Sequence, residues 1–296
     1  MGHRIRMASD ADCVALLAER IQRLHTFFGR PVVVGINGAP GSGKTTLARS
    51  LRNRLQQESE LSSVCVSIDD LYLSKRARQE LARKQHPLLL TRGVPGTHDV
   101  DLGIDVLRAL TKPAAASVVT LPGFDKAHDD RIEVSKLRTV ETPVDVVLFE
   151  GWCVGARPQQ DEDLTDPINE LEAEQDPDGT WRTYVNTKLK DEYARLFECI
   201  DALVMLRVPS FGKVLEWRTL QEQELRECVR TQAADEVPAA GMRSEELRRF
   251  VMYFERLTRY MLEDVPNYAD TIIDIDESHR MVAAINSDWP FESAVP

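Results

Sequence analysis

Long apolar runs are missing from this chain: no stretch of its 296 residues approaches the ~20 consecutive apolar residues that a membrane-spanning helix needs. Arg4 and Arg6 near the start lead into no apolar segment, so neither an anchor nor a secretory signal is expected. Cysteine is scarce as well. Cys13, Cys65, Cys153, Cys199 and Cys228 are dispersed, odd in number and never spaced C-x-x-C, which argues against a disulfide scaffold and a zinc site and fits a reduced, cytoplasmic protein. A basic surplus is also absent. With 37 Lys and Arg against 48 Asp and Glu the net charge is −11, so the chain offers no electrostatic footprint for nucleic acid. Most of the negative surplus lies between Asp161 and Asp178, where nine acids meet no base, and such a run reads as a solvated loop. What remains is ordinary globular material, 43% hydrophobic and 29% charged, long enough to bury a large core.

The informative stretch is Val32 to Leu47. Gly38-Ala39-Pro40-Gly41-Ser42-Gly43-Lys44-Thr45 fits G-x-x-x-x-G-K-[ST], and Thr46 follows. Val32, Val33, Val34 and Ile36 precede it as a strand would, and Leu47, Leu51 and Leu55 recur at helical spacing after it. In that order of strand, loop and helix the glycines let backbone N–H groups turn onto phosphate oxygens, and the helix N-terminus adds about half a positive charge. Lys44 is placed to reach the β- and γ-phosphates, and the Thr45 hydroxyl to hold Mg²⁺. The expectation is a nucleoside triphosphate with Mg²⁺.

Elsewhere the chain alternates between short apolar runs and helical periodicity. A first helix within residues 1–30 starts at Ser9 or Asp10, keeps Val14, Leu17, Ile21, Leu24 and Phe28 on one face and stops at Gly29. Val64–Ile68 reads as a buried parallel strand, Ser74 caps a basic helix to about Gln85, and Leu102–Leu110 reads as a helix. Strands are expected at Ser117–Leu121, Val144–Phe149, Ala202–Leu206 and finally Thr271–Ile275. Helices are expected around Asn186–Glu198, from Pro209 through residues 208–235 as a lid-like element, and from Ser244 to about Leu262. This alternation implies one α/β domain over residues 1–296, a mostly parallel sheet flanked by helices, with an acidic insert at 156–185.

In such sheets ligands bind at the carboxyl ends of the strands. Two strands end in acids: Asp69-Asp70 after one, Glu150 after the other. An aspartate beside a γ-phosphate can accept a hydrogen bond from a hydroxyl and orient it, and Glu150 sits where an acid can bind Mg²⁺ directly or through water. Asp70 fits a turn cap equally well. Arg218, with Gln221 one turn further on, can stabilise transition-state charge; the same spacing suits surface pairs with Glu222 or Glu224. Two polar loops within 86–131 carry Arg92, His98, Asp99, Asp125, Lys126 and Arg131, cations for a carboxylate and acids for hydroxyls. Trp152 and Trp181 read as packing.

Taken together, Gly38–Thr46, Ser67-Ile68-Asp69-Asp70-Leu71-Tyr72-Leu73, Arg92-Gly93 through Gly96-Thr97-His98-Asp99, Phe149-Glu150-Gly151-Trp152 and Trp217-Arg218 resemble the D-glycerate 3-kinase family, which is similar in fold to phosphoribulokinase, uridine kinase and pantothenate kinase. The resemblance runs from about Val32 to Asp276. It implies a P-loop kinase fold and transfer from ATP with Mg²⁺ to a small hydroxylated acceptor. It also implies Asp69 as the catalytic and metal-proximal carboxylate and Tyr72 among the substrate contacts. One segment departs: Gly123-Phe124-Asp125-Lys126 stands where the family carries an Arg-Tyr-Asp-Lys type of sequence. A pantothenate- or nucleoside-like acceptor remains the alternative within the same chemistry. A nucleotide switch without a small acceptor fits the polar loops less well. No motif for oligomerisation or for base choice stands out.

Overall fold

The computed structural model describes residues 3–112, 117–220, 244–286 and 289–292. Five parallel strands form the centre of a seven-stranded sheet: β2 (Val32–Gly38), β3 (Ser63–Ser67), β8 (Val146–Gly151), β9 (Ala202–Arg207) and β10 (Thr271–Ile275). Across the sheet they run β10-β9-β2-β8-β3, which puts the strand before the phosphate loop at the middle, with β8 and its Glu150 beside it. All seven residues of β2 are buried, as a β-branched central strand covered on both faces should be. The strand at Val64–Ile68 departs from expectation. Among the described residues β3 pairs only with β8, at the sheet edge, and it buries alternate residues. A second departure lies at the other edge, because β10 is not the last strand. β11 (Met281–Asn286) adds antiparallel to β10, and β1 (His3–Arg6) adds antiparallel to β11.

Helices cover both faces. α1 (Asp10–Phe28) is capped by Ser9, whose side chain accepts from the Asp12 N–H, and ends at Gly29 in the left-handed conformation, φ 60°. It buries Leu17, Ile21 and Leu24 against the sheet together with α2 (Lys44–Glu58). Each such side chain contributes roughly 1.5–3 kcal/mol of apolar burial. The other face is packed by α4 (Val100–Thr111), α7 (Ala194–Phe197) and α9 (Ser244–Asp264), with Leu107, Leu196, Phe254, Leu257 and Met261 in its core. α4 starts two residues earlier than its periodicity indicates, because the Asp99 side chain caps it by accepting from the Leu102 N–H. α3 (Lys75–Lys84) begins at Ser74 as expected. Strand Ser117–Thr120, β4, pairs with β7 (Thr139–Thr142) in a small exposed ribbon apart from the main sheet, and β5 (Phe124–Asp125) pairs with β6 (Asp130–Arg131).

The acidic insert is not the solvated loop its charge implies. It holds a short helix, α5 (Glu170–Gln175), and two of its acids, Glu172 and Asp176, are 0% exposed. Arg256 and Arg182 respectively neutralise them. The helix expected from Asn186 starts earlier as α6 (Thr180–Lys188) and passes through a π-helical turn, Leu189–Tyr193, into α7. Residues 211–220 form α8; the remainder of the lid-like element, with Gln221, Glu222, Glu224 and Arg226, lies outside the described residues. No helix of the described residues is long and apolar enough to cross a membrane, and Cys13, Cys65, Cys153 and Cys199 are free thiols.

Candidate active site

The loop Gly38–Thr45 turns between β2 and α2 on two left-handed glycines, Gly41 at φ 82° and Gly43 at φ 88°, a conformation a side chain would strain. Gly43 occupies the N-cap of α2 and gives it no side-chain cap, so the first N–H groups of the helix face the loop without an intrahelical partner. Buried Ser42 Oγ has no partner among the described residues. This is a cradle of donors without an acceptor, the arrangement a phosphate completes. Arg218 and Trp217 of α8 close over it. A Cβ at Gly41 would lie 3.7 Å from Trp217 Cβ and 3.8 Å from Arg218 Cδ.

Glu150 is 5% exposed near the end of β8, and Thr45 Oγ1 donates to its Oε1 at 2.9 Å. Its Oε2 is buried without a partner among the described residues. A hydroxyl and a carboxylate with one spare oxygen form a hard oxygen donor set that suits Mg²⁺. Among the described residues no group of three or more His, Cys, Asp or Glu side chains is placed to hold a metal ion.

β3 ends in a 3-10 turn, Ile68–Leu71, with the Ser67 side chain capping the Asp69 N–H. The turn packs directly on β8 because Gly151 has no side chain. A Cβ there would lie 2.3 Å from Ile68 Cγ2 and 2.9 Å from Val154 Cγ2. Asp69 is thereby fixed beside the loop. Tyr72 Oη donates to its Oδ1 at 2.9 Å and Lys126 Nζ to its Oδ2 at 2.7 Å. Burial pushes the Asp69 carboxyl up, but Lys126, Lys44 and His98 together outweigh it and hold the group below the usual carboxylate range. Asp70 points elsewhere. It lines a cleft of about 360 Å³ with Thr45, Glu150, Arg52 and Arg138. Burial, opposed by the Phe124 N–H and reinforced by Asp69, pushes it up to about 6. Neither Arg52 nor Arg138 pairs with a carboxylate among the described residues; Arg138 reaches only the Cys65 carbonyl, at 3.4 Å.

The two polar loops do meet here, but most of their charges are already paired. Arg92 binds the Asp129 carboxylate. Arg131 donates to Asp99 Oδ2 at 2.9 Å and to the Tyr72 carbonyl at 2.9 Å. Asp99 thus serves Arg131 and the cap of α4 together. Asp125 stands apart, 41% exposed, accepting from Ala127 N, His128 N and His128 Nδ1. His98 is 4% exposed, stacks on Tyr72 at 4.5 Å and is pushed down to about 4, chiefly by burial. Two contributors escaped sequence reasoning. Arg78, 1% exposed, ties the loops together by donating to the carbonyls of Leu73, Leu90 and Asp129. Tyr193, on the π turn, donates or accepts at His98 Nδ1, 2.5 Å away. An arginine amid a basic helix and a tyrosine on an irregular turn carry no sequence signal that separates them from their neighbours. Trp152 and Trp181 are packing residues, as expected; Trp152 Nε1 donates to the Gly93 carbonyl.

Residues 11–193 match the KAP family P-loop domain. An uncharacterized kinase of Schizosaccharomyces pombe is 35% identical over 233 residues, which cover 76% of this chain and 79% of that one. The chloroplastic D-glycerate 3-kinase of Arabidopsis thaliana is 30% identical over 270 residues, 86% of this chain; the match spans 54%, about half, of that enzyme. Among solved structures, D-glycerate 3-kinase from Cryptococcus neoformans var. grubii superposes with a TM-score of 0.74 at 22% identity, over 93% of this chain and 99% of that one. At that identity the likeness is one of fold.

Proposed function

Because this chain belongs to the P-loop kinases, matching the KAP family P-loop domain and counting D-glycerate 3-kinases among its homologues, we propose that it transfers the γ-phosphate of ATP to a hydroxyl of a small hydroxy acid, with D-glycerate the leading candidate. The observation that carries the reading is Asp69, held by Tyr72 and Lys126 beside the Thr45–Glu150 pair at the carboxyl ends of adjacent strands. The acidic character of the acceptor is supported by the D-glycerate 3-kinase among the relatives; Arg52 and Arg138 line the cleft that Asp70 shares with Thr45 and Glu150.

The mechanism follows from the groups present. The loop N–H groups from Gly38 to Thr45 and the Lys44 ammonium bind the β- and γ-phosphates. Thr45 and Glu150 would hold Mg²⁺, which when bound neutralises charge shared by those phosphates. Asp69 accepts one hydrogen bond on each oxygen, from Tyr72 and from Lys126, which leaves a lone pair on each for the acceptor hydroxyl or for water around the ion. It accepts a hydrogen bond from the attacking hydroxyl and aligns that oxygen with phosphorus. As the new P–O bond forms and the bond from γ-phosphorus to the bridging oxygen breaks, the hydroxyl proton passes late to Asp69, and ADP leaves. Arg218, over Gly41, faces the charge that develops in transfer.

The test is ADP release across a panel of D-glycerate, other hydroxy acids, pantothenate and nucleosides. D-glycerate should stimulate release most, and Asp69→Asn should lower that rate by roughly 10²–10⁴-fold while nucleotide binding persists. Preference for pantothenate or a nucleoside would overturn the substrate. Undiminished turnover by Asp69→Asn would overturn the role of Asp69.

A further inference from the structure

We propose that Tyr193 locks His98 as the tautomer protonated on Nε2, so that His98 presents a fixed N–H donor to an oxygen of the phosphoryl acceptor beside Asp69. The ligand half of this inference rests on the kinase reading above; the tautomer half stands on hydrogen bonds alone.

The Gly96 N–H donates to Tyr193 Oη at 3.0 Å, and the same oxygen lies 2.5 Å from His98 Nδ1. Tyr193 is 0% exposed and its phenol is pushed well above its ordinary range, chiefly by burial, so it keeps its proton. His98 is neutral at pH 7 for the same physical reason. Two arrangements are then open. With the proton on Nδ1, histidine donates to Tyr193, the tyrosine O–H is left without an acceptor, and Nε2 becomes a second unpartnered buried atom. With the proton on Nε2, the Tyr193 O–H donates to Nδ1 and a single group, Nε2–H, is left over. The second arrangement makes one more buried hydrogen bond, and an unmade one costs about 1–3 kcal/mol. That difference decides the tautomer. The π-helical turn Leu189–Tyr193 is what brings the phenol to the histidine, and such turns are frequent at functional sites.

Nε2 itself is buried and has no partner among the described residues. Native interiors rarely leave such a donor unmade. The ring lies stacked on Tyr72, whose hydroxyl donates to Asp69, and the Asp69 charge acts on the imidazole. A neutral N–H donor in the field of a carboxylate suits an oxygen lone pair on the molecule whose hydroxyl Asp69 orients. An imidazolium would instead compete with Lys126 for Asp69.

Two measurements test this. In the ligand-free, ¹⁵N-histidine-labelled full chain, long-range ¹H–¹⁵N correlations should show His98 at pH 7 with unprotonated Nδ1 and protonated Nε2; Tyr193→Phe should give a mixture or the opposite tautomer. A proton on Nδ1 in the unaltered chain, or an unchanged tautomer in Tyr193→Phe, would overturn the lock. In kinetics, Tyr193→Phe and His98→Asn should raise the KM for D-glycerate about ten-fold, one hydrogen bond, with the KM for ATP unchanged. His98→Gln, whose amide reaches toward the Nε2 position, should restore part of the loss. Equal effects on both substrates, or no effect on D-glycerate, would mean a structural hydrogen bond or a trapped water and would overturn the donor role. If no acceptor in the panel is phosphorylated, the kinase reading and the donor role fall together while the tautomer is still decided by the spectra.

Discussion

Replacing Glu172 with alanine should destabilise the protein far more than any other acid-to-alanine change in its helix. The side chain is 0% exposed and bound twice by Arg256, Nε to Oε1 at 2.8 Å and Nη2 to Oε2 at 2.6 Å; it also accepts from the Ile168 N–H at 3.0 Å. Alanine would leave Arg256, 11% exposed, with the carbonyls of Asp163 and Asp166 and no counter-charge among the described residues, and would strip the Ile168 N–H of its partner. Removing one member of a buried ion pair costs about 3–5 kcal/mol. At roughly 2–4 °C per kcal/mol for a chain of this size, the midpoint of thermal unfolding should fall by roughly 6–20 °C. Glu174→Ala is the control. That side chain is 61% exposed, 3.6 Å from Arg249, and such a pair is worth about 0–1 kcal/mol. Replacing both Glu172 and Arg256 by apolar residues of similar size should cost less than losing either alone. The reasoning is refuted if Glu172→Ala melts within a degree or two of Glu174→Ala.

Two further outcomes concern the site. Lys126 is the leading influence that depresses Asp69 against its burial, so in Lys126→Met the Asp69 pKa should rise and the acid limb of kcat/KM should move to higher pH; an unmoved limb would mean that another group sets it. Gly151→Ala would thrust a methyl 2.3 Å from Ile68, in the turn that carries Asp69, costing about 1–3 kcal/mol and lowering kcat with it. Wild-type kcat in a destabilised Gly151→Ala would uncouple that packing from the position of Asp69.

The parts of the site that were legible in the sequence are those whose reason is local. Val32–Thr46 contains a strand, a turn and a helix start in one short stretch, and Glu150 follows an apolar run of strand length. Asp69 was legible for the same cause, at the end of Val64–Ile68. What stayed hidden depends on partners far along the chain. Arg92 and Arg131 read as free cations because Asp129 and Asp99 belong to other turns. The insert reads as solvated because Arg182 and Arg256, which neutralise Asp176 and Glu172, lie outside the acidic run. Tyr193 was masked by the π turn, which adds a residue to the helical repeat and shifts the phase on which periodicity depends. β1 was invisible for a different reason: His-Arg-Ile-Arg is too short and polar to signal a strand without β11 beside it.

The pairing of β1 with β11 has a kinetic side. His3 sits opposite Asn286 and Arg6 opposite Ala283. Closing so long a loop from an unstructured chain costs about 3 kcal/mol more than closing a ten-residue hairpin. Contacts of such sequence separation form slowly, and during synthesis β1 must wait until β11 has left the ribosome. β2, β3, β8 and β9, which all precede residue 208, can assemble around the phosphate loop well before that. β11 follows β10 after a short turn and pairs with it locally, so until β1 docks it is the outer edge of β11 that stands uncovered, a row of unpaired backbone groups open to any other strand. That interval, rather than the finished fold, is where the molecule is most exposed to misassembly.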